Sequence, residues 1–418
     1  MRVAVFTAVV CGLWVTPRAD AGGGDAYRYV VTSARANLRS DTFGLTHRDL
    51  PEIKSGPWSV RKTVLHGGKQ EGVELITVDN GTLTVTLCPT RGMSVLDARA
   101  GDVRLGWNSP VKEVVHPQFV NLEGRGGLGW LDGFNEWMVR CGLEYAGHPG
   151  KDEFIDNTGA KAEMNLTLHG KVGNIPASEV EVLVDREPPH RIRVRGVVHE
   201  RLFFGPKLEL TAELSTVPGS NEFQVDDAVT NRGAGPQEFQ LIYHVNFGPP
   251  LLGQGATLVA PAESVAPMSD GAAKAIDGYD VYAAPTAGFV EQVYLLTPLA
   301  DGEGATGVLL RNPSKDRGAS ILWSKRDLPY LTVWKNTAAE ADGYVTGLEP
   351  GTGFPFNRKV ERQAGRVPKL APGETKRTSL RFQIHRDKEA VAKAAEGLSK
   401  IQGGRAPRVD TKPPVAGH

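Results

Sequence analysis

From about residue 58 the chain alternates apolar and polar side chains with a period of two, in short runs broken by Gly, Pro, Asn and Asp. This pattern predicts strands over 58–65, 73–78 and 82–87, then over 162–168, 178–184, 191–200, 208–216, 221–231 and 237–246. Later runs predict strands over 257–260, 291–296, 305–312, 319–324, 330–335, 344–348 and 375–385. Asp79-Asn80-Gly81 between two of these runs is a hairpin signal, and Thr82, Thr84 and Thr86 alternating with Leu83, Val85 and Leu87 give the following strand one apolar face. Helical periodicity is confined to two places: a short helix is expected over 32–38, and Ala390, Val391, Ala394, Leu398 and Ile401 form an apolar stripe over 388–401. Strands at this spacing predict an all-β fold, a large antiparallel β-sandwich.

The stretch Leu241 to Pro250 stands out within this pattern. Phe239, Leu241, Tyr243 and Val245 occupy one face of a strand, and Gln240, Ile242, His244 and Asn246 the other, before Gly248-Pro249-Pro250 stops it. Titratable and amide groups thus share a face at a strand end, where they line a pocket or are satisfied by a neighbouring carbonyl; the stretch alone leaves both open. Residues 108–150 break the alternation. They are irregular, rich in Gly and aromatics, and expected to be functional, because Trp130, Phe134, Trp137 and Tyr145 argue against disorder.

Composition narrows the reading. With 418 residues, 40% of them hydrophobic, the chain can bury a sizeable core, and 49 Gly with 28 Pro suit many short strands joined by turns. A formal net charge of zero gives no argument for nucleic acid or an anionic membrane as partner. Residues 1–21 read as a secretory signal: Arg2, an apolar run from Val3 to Val15, and Ala19-Asp20-Ala21 before Gly22. That run is too short to span a membrane, so an exported, periplasmic or secreted protein is expected. The expected organisation is then a leader over 22–57, the sandwich over 58–386, and a helix with a poorly ordered polar tail over 387–418. Outside the signal only Cys88 and Cys141 remain; a disulfide and two buried thiols are both compatible with the sequence.

Several chemistries find no motif. C-x-x-C and H-E-x-x-H spacings, a Walker loop and G-x-S-x-G do not occur, so no metal or cofactor is expected. The remaining candidates sit at strand ends and turns. Arg91, between Pro89-Thr90 and Gly92, offers a fork of donors. His169 precedes Gly170 at the end of a strand, and Glu349 is held between Leu348 and Pro350. Asp280 and Glu291 open or precede strands, where carboxylates also occur simply as surface residues.

The order of Arg91, Leu168-His169-Gly170, Tyr243-His244-Val245-Asn246 and Gly347-Leu348-Glu349-Pro350 resembles the galactose mutarotase (aldose 1-epimerase) superfamily. Arg91-Gly92-Met93 and Trp334-Lys335 resemble its DUF4432 branch, and the similarity extends over about 58–386. The resemblance implies a sugar bound in a concave face, with His244 as general acid, Glu349 as general base, and Arg91 and His169 on sugar hydroxyls. It leaves the substrate-binding carboxylate to Asp280 or Glu291, and places Asn246 and Trp334 among the substrate-binding residues. The reaction implied is cofactor-free interconversion of sugar anomers by ring opening, with acid and base on opposite sides of one ring. A non-catalytic carbohydrate-binding sandwich with Trp130, Trp137 and Tyr145 as stacking platforms, or a glycan hydrolase or lyase, would use the same concave face.

Overall fold

The computed structural model describes residues 25–414. The expected signal, with Cys11, lies outside the described residues. Two large sheets dominate, antiparallel but for one short pair at the edge of the second. One has ten strands, with Glu222–Asn231, Lys207–Thr216 and Thr375–His385 near its centre; the other runs through thirteen, with Met138–Leu143, Gln240–Phe247 and Val345–Gly351 near its centre. The alternating runs form these strands because each can turn its apolar half toward the facing sheet. Val180, Val194, Leu210, Val225 and Phe382 from the first sheet share one core with Val78, Val85, Leu241, Tyr243, Val245 and Leu348 from the second.

The sandwich is also tied by polar groups. Arg140, on the second sheet, donates through Nε and Nη2 to Asp227 on the first, at 2.5 and 2.8 Å, and through Nη1 to Met93 O. Tyr243 Oη donates to the same carboxylate at 2.7 Å. Both members of the pair are buried, the ion pair itself crosses between the sheets, and the remaining donors of Arg140 and acceptors of Asp227 also find partners, which is the condition under which a buried ion pair is tolerated. Asn80 in the predicted hairpin does similar work. Its Oδ1 accepts from Thr82 N and Leu83 N, and its Nδ2 donates to Thr216 Oγ1 across the sandwich.

Three expectations change. Residues 32–38 are not helical: Ala26–Ser33 is a strand paired with Glu179–Asp185, and Leu38–Arg39 folds back on it, so the leader adds strands to the first sheet. The β-branched run of Val30, Val31 and Thr32 outweighs the helix formers that follow. Only part of 108–150 is irregular. Met138–Leu143 is a fully buried central strand between Gln240–Phe247 and Ser94–Ala100, hidden from a period-two reading because both its faces are covered. The polar tail is not loose where described: Arg408–Val409 pairs in parallel with Ser264 and Val265. The predicted terminal helix is present as Lys388–Gln402, capped by Asp387, which accepts from Ala390 N. Cys88 and Cys141 are free, buried thiols. Among the described residues no helix is long and apolar enough to cross a membrane.

Arg140→Ala should leave Asp227 buried without its counter-charge and lower unfolding stability by about 3–5 kcal/mol. Urea unfolding of the variant beside wild type checks this; a loss under about 1 kcal/mol would remove the pair as a tie between the sheets.

Candidate active site

The outer face of the second sheet carries a hollow of about 560 Å³. Its floor is a row of side chains at one level of the sheet. His244 on Gln240–Phe247 lies level with Glu349 on Val345–Gly351, and Glu349 is paired with Thr332 on Tyr330–Asn336. Alternation decides this placement. Leu241, Tyr243, Val245 and Phe247 point into the inter-sheet core, so His244 must point the other way. The strand is buried along its whole length because the irregular part of 108–150 folds over that second face.

The wall is aromatic. Trp130, Phe134 and Trp334 line the hollow, and their rings lie with centroids 6.0, 5.2 and 5.4 Å from that of His244. His169 approaches His244 edge-on at 5.3 Å. Gly347 makes room for the floor: a Cβ there would stand 2.5 Å from Glu349 Oε1 and 3.2 Å from both His244 Cε1 and the Trp334 ring.

His244 Nε2 is 3.2 Å from Glu349 Oε1. At the other side of the ring, Nδ1 is 2.6 Å from Asn246 Oδ1. Asn246 Nδ2 donates to Glu136 O at 3.0 Å and to His244 O at 3.4 Å, which leaves Oδ1 as the acceptor and requires a proton on His244 Nδ1. Nε2 is therefore the nitrogen that exchanges protons with its surroundings. Burial pushes His244 well below the ordinary imidazole range, with His169 adding to the shift and Asn246 opposing it. Burial pushes the Glu349 carboxyl well above the usual carboxylate range, and Glu291 pushes it the same way. Both shifts favour uncharged forms, in which a proton on Glu349 is donated to Nε2. The expected geometry, with the two groups on opposite sides of a sugar ring, is replaced by two groups side by side on one floor. Adjacent antiparallel strands put opposed residues in contact, with no space for a ring between them.

His169 adopts φ 59° ahead of Gly170, and its Nδ1 lies 3.1 Å from Ala146 O. Burial lowers it to about 4, so it is neutral, with Nδ1–H donated to the carbonyl and Nε2 left as an acceptor at the hollow. Glu291 also lines the hollow, its Oε2 accepting from Trp334 Nε1 at 2.7 Å. Five other candidates are not where the sequence reading put them. Arg91 is fully buried behind the wall, donating to Glu136 Oε1 (2.9 Å), Val115 O, Asn174 Oδ1 and Gly133 O, so its fork holds the irregular segment and leaves no donor for a ligand. Asn246 sits behind His244 and does not line the hollow. Asp280 lies away from it, its carbonyl accepting from Leu258 N. Trp137 packs in the inter-sheet core against Phe223 and Phe382, and Tyr145 bonds Thr167 Oγ1. Of the three proposed stacking platforms only Trp130 lines the hollow.

Trp107, Thr332, Asn336 and Asp342 line the hollow without having been singled out. Thr332 and Asn336 were within reach of sequence reasoning, since they flank Trp334 at two-residue spacing and so share its face. Thr332 Oγ1 is buried with no protein partner. Among the described residues no group of three or more His, Cys, Asp or Glu is arranged to hold a metal.

Residues 70–384 match the family described as a domain of unknown function, DUF4432. The chain belongs to the DUF4432 family. A Klebsiella pneumoniae protein provisionally assigned as an aldose 1-epimerase is 42% identical, with 93% of this chain and 99% of that one covered and a TM-score of 0.88. Two more distant structures share the fold of this DUF4432 protein. A galactose mutarotase-like protein from Clostridium acetobutylicum is 14% identical, covering 78% and 98% of the two chains at TM-score 0.53. A provisionally assigned aldose 1-epimerase from Escherichia coli K12 is 14% identical, covering 75% and 99% at TM-score 0.50. The architecture is thus the galactose mutarotase-like sandwich expected from the sequence. A search of curated proteins gives no significant match.

The raised carboxyl of Glu349 links to stability. Its contribution is full below the unfolded-state value of about 4.5 and is lost as pH rises toward the folded-state value. Glu349→Gln lacks this slope. Relative to wild type it should gain stability between pH 5 and pH 8, by up to about 1.4 kcal/mol per pH unit until Glu349 ionises. Denaturant unfolding of both proteins at the two pH values measures this; parallel pH profiles would mean that Glu349 is ionised in the folded state.

Proposed function

We propose that this protein is an aldose 1-epimerase acting on a small-molecule carbohydrate, with His244 and Glu349 as its proton-transfer pair. The observation that carries the reading is the 3.2 Å contact between Nε2 and Oε1 at the floor of an aromatic-walled hollow. Ring opening requires one proton removed from the anomeric hydroxyl and one delivered to the ring oxygen. Both oxygens are bonded to one carbon, so a donor and an acceptor side by side suit the reaction better than two groups across a ring.

The steps balance within the pair. His244 Nε2 takes the proton of the anomeric hydroxyl, Glu349 gives its proton to the ring oxygen, the bond from C1 to the ring oxygen breaks, and C1 becomes an aldehyde. Rotation about C1–C2 turns the other face of the carbonyl to the hydroxyl. On reclosure Glu349 takes the hydroxyl proton back and imidazolium His244 protonates the carbonyl oxygen. Each residue is base in one half and acid in the other, and the acid role for His244 with the base role for Glu349 describes the closing half. His169 Nε2 and Thr332 Oγ1 are the groups that would bond ring hydroxyls, and Trp130 and Trp334 would face the C–H surfaces of the sugar. The aromatic wall also suits a binding-only module, which would hold sugars without speeding their equilibration.

Anomeric equilibration of a panel of aldoses, followed by polarimetry or NMR, tests the reading. Wild type should accelerate at least one sugar. Glu349→Gln and His244→Gln should each lower kcat by about 10²–10⁴-fold. The rate should be flat around neutral pH and fall once the pair gains a second proton at acid pH or loses its last at alkaline pH. Sugar binding without acceleration would select the binding-only module. We also propose export, on the strength of Arg2, the apolar run and Ala19-Asp20-Ala21. Mature protein beginning at Gly22 in a periplasmic or culture fraction is the expected result, and full-length protein retained in the cytoplasm would end that reading.

A further inference from the structure

The hollow offers an anion no permanently charged cation among the described residues. Among the described residues lining it there is no Lys or Arg, whereas Glu291, Asp342 and Glu349 are all present. Three buried arginines on the surrounding elements are paired away from it: Arg91 with Glu136, Arg140 with Asp227, and Arg358 with Asp152. A sugar phosphate or uronate entering here would give up hydration without gaining a counter-ion, and would meet the carboxylates of Glu291 and Asp342.

The hollow is also larger than one ring. A hexose has roughly twelve non-hydrogen atoms; even at a generous share of about 30 Å³ each, it takes roughly 360 Å³. The hollow holds about 560 Å³. The chemistry must occur at its floor, because His244 and Glu349 are 4% and 2% exposed. The outer part of the lining includes Leu128 and Leu131, which are 38% and 42% exposed. A single ring at the floor leaves these two leucines in water; a second ring, with its apolar C–H face, would cover them.

We propose that the substrate is a reducing saccharide of at least two rings carrying no anionic group, which enters reducing end first and rests its second ring against Leu128 and Leu131. This rests on the epimerase reading of the floor and adds to it the charge and size of the substrate.

The test uses the purified full chain with glucose and galactose, the reducing disaccharides maltose, cellobiose and lactose, and the anionic glucose 6-phosphate and glucuronate. Anomeric equilibration gives kcat/KM for each. Quenching of tryptophan fluorescence, with Trp107, Trp130 and Trp334 in the lining, gives binding independently of turnover. The best disaccharide should exceed the best monosaccharide in kcat/KM by about tenfold, and the anionic sugars should fall at least about 100-fold below glucose. Glu291→Gln should narrow that charge penalty by about tenfold, and Leu131→Ser should shrink the disaccharide advantage to within about threefold. Anionic sugars turned over or bound as well as neutral ones would overturn the proposal, as would monosaccharides matching every disaccharide. Neutral disaccharides that bind tightest without acceleration would sink the epimerase reading while upholding the ligand class.

Discussion

Two ionisable side chains lie almost without solvent at the centre of this protein's larger sheet, and the rest of the site follows from how they are kept there. An isolated charge at that depth would be costly, and each group responds as burial dictates, His244 toward neutral imidazole and Glu349 toward the protonated acid. Their contact resolves the conflict by letting one proton serve both. Asn246 fixes which nitrogen takes part, because its amide hydrogens are committed to carbonyls and only its oxygen can meet Nδ1. Gly347 is the steric counterpart of that constraint, since any side chain there would occupy the space where the carboxylate, the imidazole and the Trp334 ring converge.

Burying that pair requires a second layer over a sheet whose other face already forms the core. The irregular chain before residue 138 supplies it, and arginine holds it in place. Arg91 joins Val115, Gly133, Glu136 and Asn174, four points on segments that belong to neither sheet. At another side of the hollow, Arg358 reaches Asp152 and Glu144, positioning the turn that carries His148 and Pro149. Buried guanidinium groups suit this task because a rigid fork satisfies several carbonyls and a carboxylate at once. One consequence is chemical: both of these arginines spend their charge away from the hollow, whose lining is aromatic and neutral to acidic.

The legible part of the site and the illegible part differ for one reason. His169, His244, Glu349 and Trp334 could be named in advance because each lies on or beside a strand whose alternation gives its direction. Thr332 and Asn336 belonged to the same alternation and were overlooked beside a more conspicuous tryptophan. Arg91 was misplaced because a strand-end arginine looks the same in sequence whether it serves a ligand or a buried glutamate. Asp280 and Glu291 were indistinguishable in the sequence; only their distances from a floor built by other strands separate them.

The sequence by itself determined the strands, the two faces of each, and hence the antiparallel sandwich, because a period of two is a local property that fixes which side chains seek the core. It also determined that a histidine and a glutamate would stand among apolar neighbours on strands of their own. Register between strands distant in the chain belonged to the tertiary structure alone. It set His244 level with Glu349 rather than across a ring from it, turned Arg91 inward, and made a central strand of Met138–Leu143. Those outcomes depend on pairing energies summed over whole sheets, which no single stretch of residues carries.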